Sequence, residues 1–340
     1  MTNSIKIVRH QNLLENLVVV DGMSTAGKSM IAPIISSFER SELWRVNYLN
    51  DYIPTINALD RMDRDVASTL LNMMADVDIY NLMISRDTNF RSTDDSSAQK
   101  NMLFDRYHDR LSAKDGEEAK DKILRDKPIH TIMVHYLFGN SEILFSAFGK
   151  KLKLYIIMVR HPLWLVENWY NAAWHDRIGR DEREFQICCD VEGKVVPWFA
   201  VKYADEYMQL PPLAKTIKVL SALLDGFYDQ YEKLSDEDKS KVMFIPFELV
   251  ATDPWPFLNR IMASLCTKTT FKTNEIMEKM DLPRKLDKGE FETKKVEFEK
   301  LAMRENLTES SVRLMKKLCS DYEQKFLAGW YNSNTEREQE

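Results

Sequence analysis

The chain has 340 residues, of which 29 % are charged and 44 % hydrophobic, and a formal net charge of −6. These values suit a globular protein large enough to bury a full core, and the acidic balance gives no reason to expect a nucleic-acid partner. The opening Met1–His10 lacks the apolar core of a signal peptide and no later apolar run reaches bilayer length, so a cytoplasmic protein with no membrane partner is expected. The four cysteines (Cys188, Cys189, Cys266, Cys319) show no metal-ligand spacing and read as reduced thiols.

From Leu17 an apolar run stops at Asp21 and passes into Gly22-Met23-Ser24-Thr25-Ala26-Gly27-Lys28-Ser29. Gly-x-x-x-x-Gly-Lys-Ser between a strand and a helix is the nucleotide P-loop pattern, in which backbone N–H groups turn inward around a phosphate and the lysine adds a point charge. The helix that follows contributes its positive N-terminal end. An ordinary strand–turn–helix connection is the plainer alternative, and the loop does not say which phosphate compound it holds.

The spacing predicts a helix over Met30–Phe38 with Pro33 in its first turn, then a strand over Trp44–Leu49. Asn50-Asp51-Tyr52-Ile53-Pro54 reads as a polar-aromatic loop, either lining a cleft or lying on the surface. A helix is expected within Asp60–Ser85, followed by a polar run over 85–97 with Arg86, Asn89, Phe90 and Arg91, which suits either an acceptor-binding loop or a linker. Phe104–Arg110 and Ser112–Asp126 read as solvated segments.

Ile129–His135 and Leu152–Val159 are compact apolar runs rich in β-branched residues, separated by a helix-length segment at 141–148. They read as buried parallel strands joined by a crossover helix. In open parallel sheets the ligand lies beyond the carboxyl ends of the strands, so His135 and Arg160 are expected to face the same crevice as the P-loop. Pro162 opens another helix, 171–215 is irregular, and Lys215–Glu232 is helical. Lys241–Phe247 forms a further strand ending at Glu248, read as a structural partner more than a base. Trp255–Leu265 is amphipathic, Leu282–Lys295 is a basic-acidic loop, and Thr308 caps a last helix to about Phe326. Trp164, Trp169 and Tyr170 read as core, while Trp174, Trp198, Tyr203 and Tyr207 either stack on a ligand or cover the sheet. The expected fold is α/β, a parallel β-sheet flanked by helices in a P-loop nucleotide-binding architecture. It forms one domain over residues 1–332 with inserts near 50–100 and 171–215, and a disordered tail at 333–340.

Mg-ATP or Mg-GTP chemistry at a P-loop normally needs an aspartate at a neighbouring strand end to hold the metal. The neighbouring strands end in His135 and Arg160 instead, leaving Asp21 and Asp105 as candidates. Cations and a histidine without a clear metal carboxylate fit group transfer from a nucleotide bound without metal.

Three features in order resemble the sulfotransferases that use 3′-phosphoadenosine 5′-phosphosulfate (PAPS): Asp21–Ser29, Val134-His135-Tyr136-Leu137, and Val159-Arg160-His161-Pro162. Phe247-Glu248-Leu249 with Asp253-Pro254 is similar to the family's segment after its later strand. The resemblance covers roughly residues 16–38, 128–172 and 241–265. It implies that Met23, Ser24, Thr25, Ala26, Gly27, Lys28 and Ser29 bind the 5′-phosphosulfate. It also implies that Arg160 and the residue eight positions later bind the 3′-phosphate and that His135 is the base deprotonating the acceptor. That later position is Asn168 here, where the family has serine. The family's Lys or Arg two residues before Gly27 is Thr25, so the cation sits at Lys28 instead, and Arg284-Lys285 is a loose echo of the family's Arg-Lys-Gly contact to the 3′-phosphate. The implied function is transfer of a sulfuryl group from PAPS, without metal, to a hydroxyl of a small molecule or carbohydrate, with Lys28 and His135 as catalytic groups. The alternatives are a small-molecule kinase using Mg-ATP, with Ser29 on the metal, and a nucleotide-sensing regulatory protein.

Overall fold

A computed structural model describes residues 5–286 and 288–328, so the expected tail at 333–340 lies outside the described residues. The strands are β1 (Asn16–Gly22), β2 (Arg45–Val46), β3 (Ile129–Met133), β4 (Leu152–Val159), β5 (Cys188–Val191), β6 (Lys194–Pro197) and β7 (Val242–Pro246). Five of them form one sheet in the order β2-β3-β1-β4-β7, every pair parallel. The α/β architecture is therefore the one expected, with β1 at the centre. Leu17, Val18, Val19 and Val20 are fully buried, which is why β1 reads as an unbroken apolar run: helices cover the sheet and leave it no polar face. Burial of each such side chain contributes about 1.5–3 kcal/mol.

Helix Lys28–Ser36 packs on β1 and β3, and Trp255–Leu265 packs on β4. On β4 also lies Glu142–Phe148, backed by the long helix Arg64–Met83. Among the described residues no helix is long and apolar enough to cross a membrane.

Several local expectations give way. The first helix begins at Lys28, two residues early, which puts Pro33 inside it and not in its first turn. The strand expected at Trp44–Leu49 shrinks to Arg45–Val46 at the sheet edge, because β3 offers it only Ile132 and Met133. The expected loop at 50–54 is a helix, Leu49–Ala58. Its first turn closes through Tyr52 N–H donating to the Tyr48 carbonyl at 2.8 Å, while the Asn47 side chain accepts from Leu49 N–H at 3.1 Å. The irregular stretch 171–215 contains a hairpin, β5–β6, turned by Glu192 and Gly193 at φ 51° and 82°, the left-handed pair that a tight two-residue connection requires. Lys288–Arg304 is helical where a basic-acidic loop was expected. The arginines of the 85–97 run are engaged in exposed ion pairs, Arg86 with Asp115 and Arg91 with Asp94.

Phe104–Arg110 is solvated at Phe104, Asp105, His108 and Asp109, but its other side turns inward. Tyr107 is fully buried, its hydroxyl donates to Glu42, and Arg110 grips the same carboxylate through two nitrogens at 2.6 and 3.0 Å. Burial pushes the Glu42 carboxyl up, but Arg110, Arg106 and the Tyr107 hydroxyl pull it further down, to a net position below its ordinary 4.5. A carboxyl depressed in the fold stabilises it above the unfolded-state value, and that contribution is lost as pH falls through the folded one. Glu42→Gln is therefore expected to cost about 3 kcal/mol at neutral pH by leaving Arg110 uncompensated. In denaturant titrations, the gap from wild type should narrow as pH drops below the ordinary carboxylate range.

Candidate active site

Everything at the site hangs on how β1 ends. At Gly22 φ is +134°, and a Cβ there would fall 2.2 Å from the Met158 carbonyl oxygen, so only glycine lets β1 turn away while still touching β4. Asp21, just before it, is fully buried. Its Oδ1 accepts from Gly22 N–H at 2.6 Å and Leu137 N–H at 3.1 Å, and its Oδ2 accepts from the Tyr155 hydroxyl at 2.9 Å. Beyond β3 the chain wraps the end of β1, with Val134 N–H on the Val20 carbonyl and Tyr136 N–H on the Gly22 carbonyl at 3.0 and 3.2 Å. His135 sits between these two anchors. It follows β3, Arg160 follows β4, and these strands flank β1 on its two sides. The strand order thus puts the two residues beyond the strands on either side of β1.

Gly27, at φ +105°, is the N-cap of Lys28–Ser36, a helix with no side-chain cap bond and no acidic residue in its first turn. A helix start of this kind favours an anion. Lys28 is buried, and its Nζ donates to the Gly22 carbonyl at 2.5 Å. Burial lowers its ammonium to about 8, against the raising pull of Asp21 and Asp51. Thr25 takes φ 68°, a strained choice for a β-branched residue. It is held by Arg160, which donates to its carbonyl at 2.9 Å, and by Asn168, whose Nδ2 donates to its hydroxyl at 3.4 Å. Ser24 is fixed by Trp169 Nε1, which donates to its carbonyl at 3.1 Å. Trp169 is buried as expected, and its indole also braces the loop. Met23 and Ala26 are buried beneath the turn, while Thr25 and Ser29 are exposed.

Arg160 and Arg284 meet over one ring. The guanidinium carbons lie 4.3 and 5.6 Å from the centroid of Phe247, the residue after β7. Arg284 is brought there by its N–H on the Ala251 carbonyl at 2.6 Å, and its side chain donates to the Met280 and Asp281 carbonyls. Lys285 is exposed beside it. Among the described residues Arg160 Nε has no hydrogen-bond partner although it is buried. Burial, and secondarily the charge of Arg284, lowers Arg160's hold on its proton against the pull of Glu248. Two neighbouring guanidiniums, one with an orphaned buried N–H, make a site suited to an anion.

At the other flank, Asp51 Oδ1 accepts from His135 N–H at 2.7 Å and its Oδ2 lies 3.2 Å from His135 Nδ1. Tyr48 stacks on the imidazole with centroids 5.7 Å apart, and Phe185 leans on Tyr48 at 5.5 Å. Sequence reasoning missed Asp51, Tyr48 and Phe247 as parts of the site; the polar-aromatic 50–54 stretch was the available signal for the first. Glu248 is structural, accepting from His161 N–H at 3.0 Å and from the Tyr322 hydroxyl. Asp21 is fully buried with both carboxylate oxygens hydrogen-bonded, and Asp105 is exposed on the helix Phe104–Asp109. Among the described residues no group of three or more His, Cys, Asp or Glu side chains forms a metal-like cluster.

No protein-family model matches the chain, and no curated protein sequence matches it. Among solved structures it is similar to the sulfotransferase STF9 from Mycobacterium avium, at 14 % identity over 93 % of this chain and 78 % of that one, TM-score 0.43. It is also similar to a sulfotransferase domain from the curacin biosynthetic pathway, at 11 % identity over 82 % and 80 %, TM-score 0.41. A third is the sulfotransferase STF1 from Mycobacterium tuberculosis H37Rv, at 10 % identity over 78 % and 71 %, TM-score 0.38. Likeness at this level does not transfer an activity.

Because the buried Lys28 ammonium holds its proton only to about pH 8, its charge is lost as pH rises through that value. Inorganic sulfate, which does not titrate in this range, is expected to bind several-fold more weakly at about pH 9 than at about pH 7 by calorimetry. Lys28→Gln should bind weakly at both pH values and lose that dependence.

Proposed function

We propose that the protein is a cytoplasmic sulfotransferase that takes a sulfuryl group from PAPS and delivers it to a hydroxyl of a small-molecule or carbohydrate acceptor. The observation that carries this reading is the arrangement around β1: a buried lysine at the loop, a stacked arginine pair beyond β4, and a carboxylate-bound histidine beyond β3. PAPS supplies a sulfuryl group carried on a 5′-phosphate leaving group. Met23–Ser29 and the uncapped helix start would hold that phosphate. Lys28 would leave the Gly22 carbonyl to neutralise the charge that builds on it, the preorganised stabilisation that commonly dominates group transfer. Arg160, Arg284, Lys285 and Asn168 would hold the 3′-phosphate, on which the orphaned Arg160 Nε–H finds an acceptor. As the bond from sulfur to the phosphate oxygen breaks and the bond to the acceptor oxygen forms, His135 takes the acceptor's proton. Tyr48 stacks on His135, and Tyr52 and Phe185 pack on Tyr48; these rings, from the two expected insert regions, would form the acceptor wall within a single domain spanning residues 1–332. The cytoplasm suits the four free thiols.

The kinase alternative needs a carboxylate for Mg²⁺ next to Ser29. Asp21 is spent on three hydrogen bonds inside the fold, which favours the sulfuryl-transfer reading.

Calorimetric titration with adenosine 3′,5′-bisphosphate and with ATP, each with and without Mg²⁺, separates the two. Metal-independent bisphosphate binding, weakened at least tenfold by Arg160→Ala, is the expected result. A preference for Mg-ATP with no bisphosphate binding would overturn the proposal. His135→Ala should retain bisphosphate binding while turnover falls by about 10²- to 10⁴-fold; unchanged turnover would remove His135 as the base.

A further inference from the structure

His135 has two ring nitrogens, and a general base needs one of them to carry a free lone pair. What the other nitrogen bonds to settles which. In this chain the decision falls to Asp51, 84 residues upstream, which contacts His135 twice: Oδ1 on the backbone N–H at 2.7 Å and Oδ2 on Nδ1 at 3.2 Å. Asp51 is itself buried, with 8 % of its surface exposed, and the imidazole it holds keeps 21 % of its side chain open. The imidazole is further fixed by Tyr48, whose ring lies at an interplanar angle of 21°, and by the edge contact to Tyr136 at 6.5 Å. Tyr48 and Asp51 stand three positions apart at the start of Leu49–Ala58, so one rigid helical turn delivers both the stacking face and the carboxylate.

Resting on the sulfuryl-transfer reading, we infer that Asp51 is the positioning residue of this site: it fixes His135 as the Nδ1–H tautomer and leaves Nε2 as the proton acceptor for the incoming hydroxyl. A carboxylate can accept only, so whenever the imidazole is neutral Nδ1 must be the protonated nitrogen. On proton uptake at Nε2 the same carboxylate faces the imidazolium and stabilises it, as the aspartate does in hydrolase triads. The carboxylate also raises the proton affinity of Lys28. A single side chain thus serves both the base and the cation at the leaving group.

Asp51→Asn isolates this role. Asn keeps an oxygen for the His135 backbone N–H but turns an NH₂ toward Nδ1, which forces Nδ1 to accept and Nε2 to carry the proton. Long-range ¹H–¹⁵N correlation spectra of the full chain, with the His135 signals assigned by comparison with His135→Gln, report the tautomer directly. The expected result is Nδ1–H in wild type and Nε2–H in Asp51→Asn, with the unfolding midpoint showing that the variant is folded. Sulfuryl transfer by the variant should fall by about 10²- to 10⁴-fold in kcat, with acceptor KM changed less than about threefold. An Nε2–H wild type, an unchanged tautomer in the variant, or a variant with wild-type kcat would overturn the assignment. If the tautomers behave as expected but wild type transfers no sulfuryl group, the proposed function fails while the Asp51–His135 geometry stands.

Discussion

The carboxylate of Asp21, withdrawn from water at the end of β1, binds three parts of the fold at once: its own turn through Gly22, the wrap beyond β3 through Leu137, and β4 through Tyr155. Burying a carboxylate costs several kcal/mol, and hydrogen bonds to a charged group return about 1.5–3 kcal/mol each. The three donors therefore make the burial tolerable, and the wrap that carries His135 depends on them. Burial raises the Asp21 carboxyl and lowers the Lys28 ammonium, so desolvation outweighs the attraction between the two. Lys28 is thus a cation short of partners, and an arriving phosphate would gain from supplying one.

On the other side of β1 the organising group is the ring of Phe247. It lies where a Cβ on Gly27 would reach 2.8 Å from its Cδ2, and it carries both arginines on its face. A cation over an aromatic ring gains about 0.5–2 kcal/mol, which offsets part of the repulsion between two like charges brought together. The glycine of the loop and the arginine pair are therefore coupled through one side chain. Bulk added at Gly27 would move the ring and with it the cations.

The sequence was most legible where an apolar run or an apolar helical stripe is unbroken. β4 and the helix Trp255–Leu265 have the bounds their apolar patterns predict, and in the β1–loop–helix unit the helix runs over Lys28–Ser36 where Met30–Phe38 was expected. β4 is buried along almost its whole length, whereas Trp255–Leu265 buries Leu258, Ile261 and Leu265 and exposes its other side; in each the local pattern and the tertiary fate agree. Legibility failed where a residue's meaning depends on a distant partner. Polar Asn50 and Asp51 with Pro54 looked like a loop because nothing local shows that Asp51 faces His135. Phe104–Arg110 looked solvated because Glu42, the acceptor that draws Tyr107 and Arg110 inward, lies more than 60 residues away. In the candidate site, the positions of the loop, His135 and Arg160 after their strands were readable, whereas Phe247 and the placement of Arg284 were visible only once β7 was docked beside β4.

That docking has a consequence for how the protein is made. Strands β1 to β4, the loop, His135 and Arg160 are all synthesised before residue 161, yet the ring and the second guanidinium that complete the stacked arginine pair come from residues 247 and 284. A ribosome-bound chain halted after β4 would carry most of the recognisable motifs and no arginine pair. On the proposed function, nucleotide affinity would be acquired late, and its appearance during translation would report that the last strand of the sheet has joined.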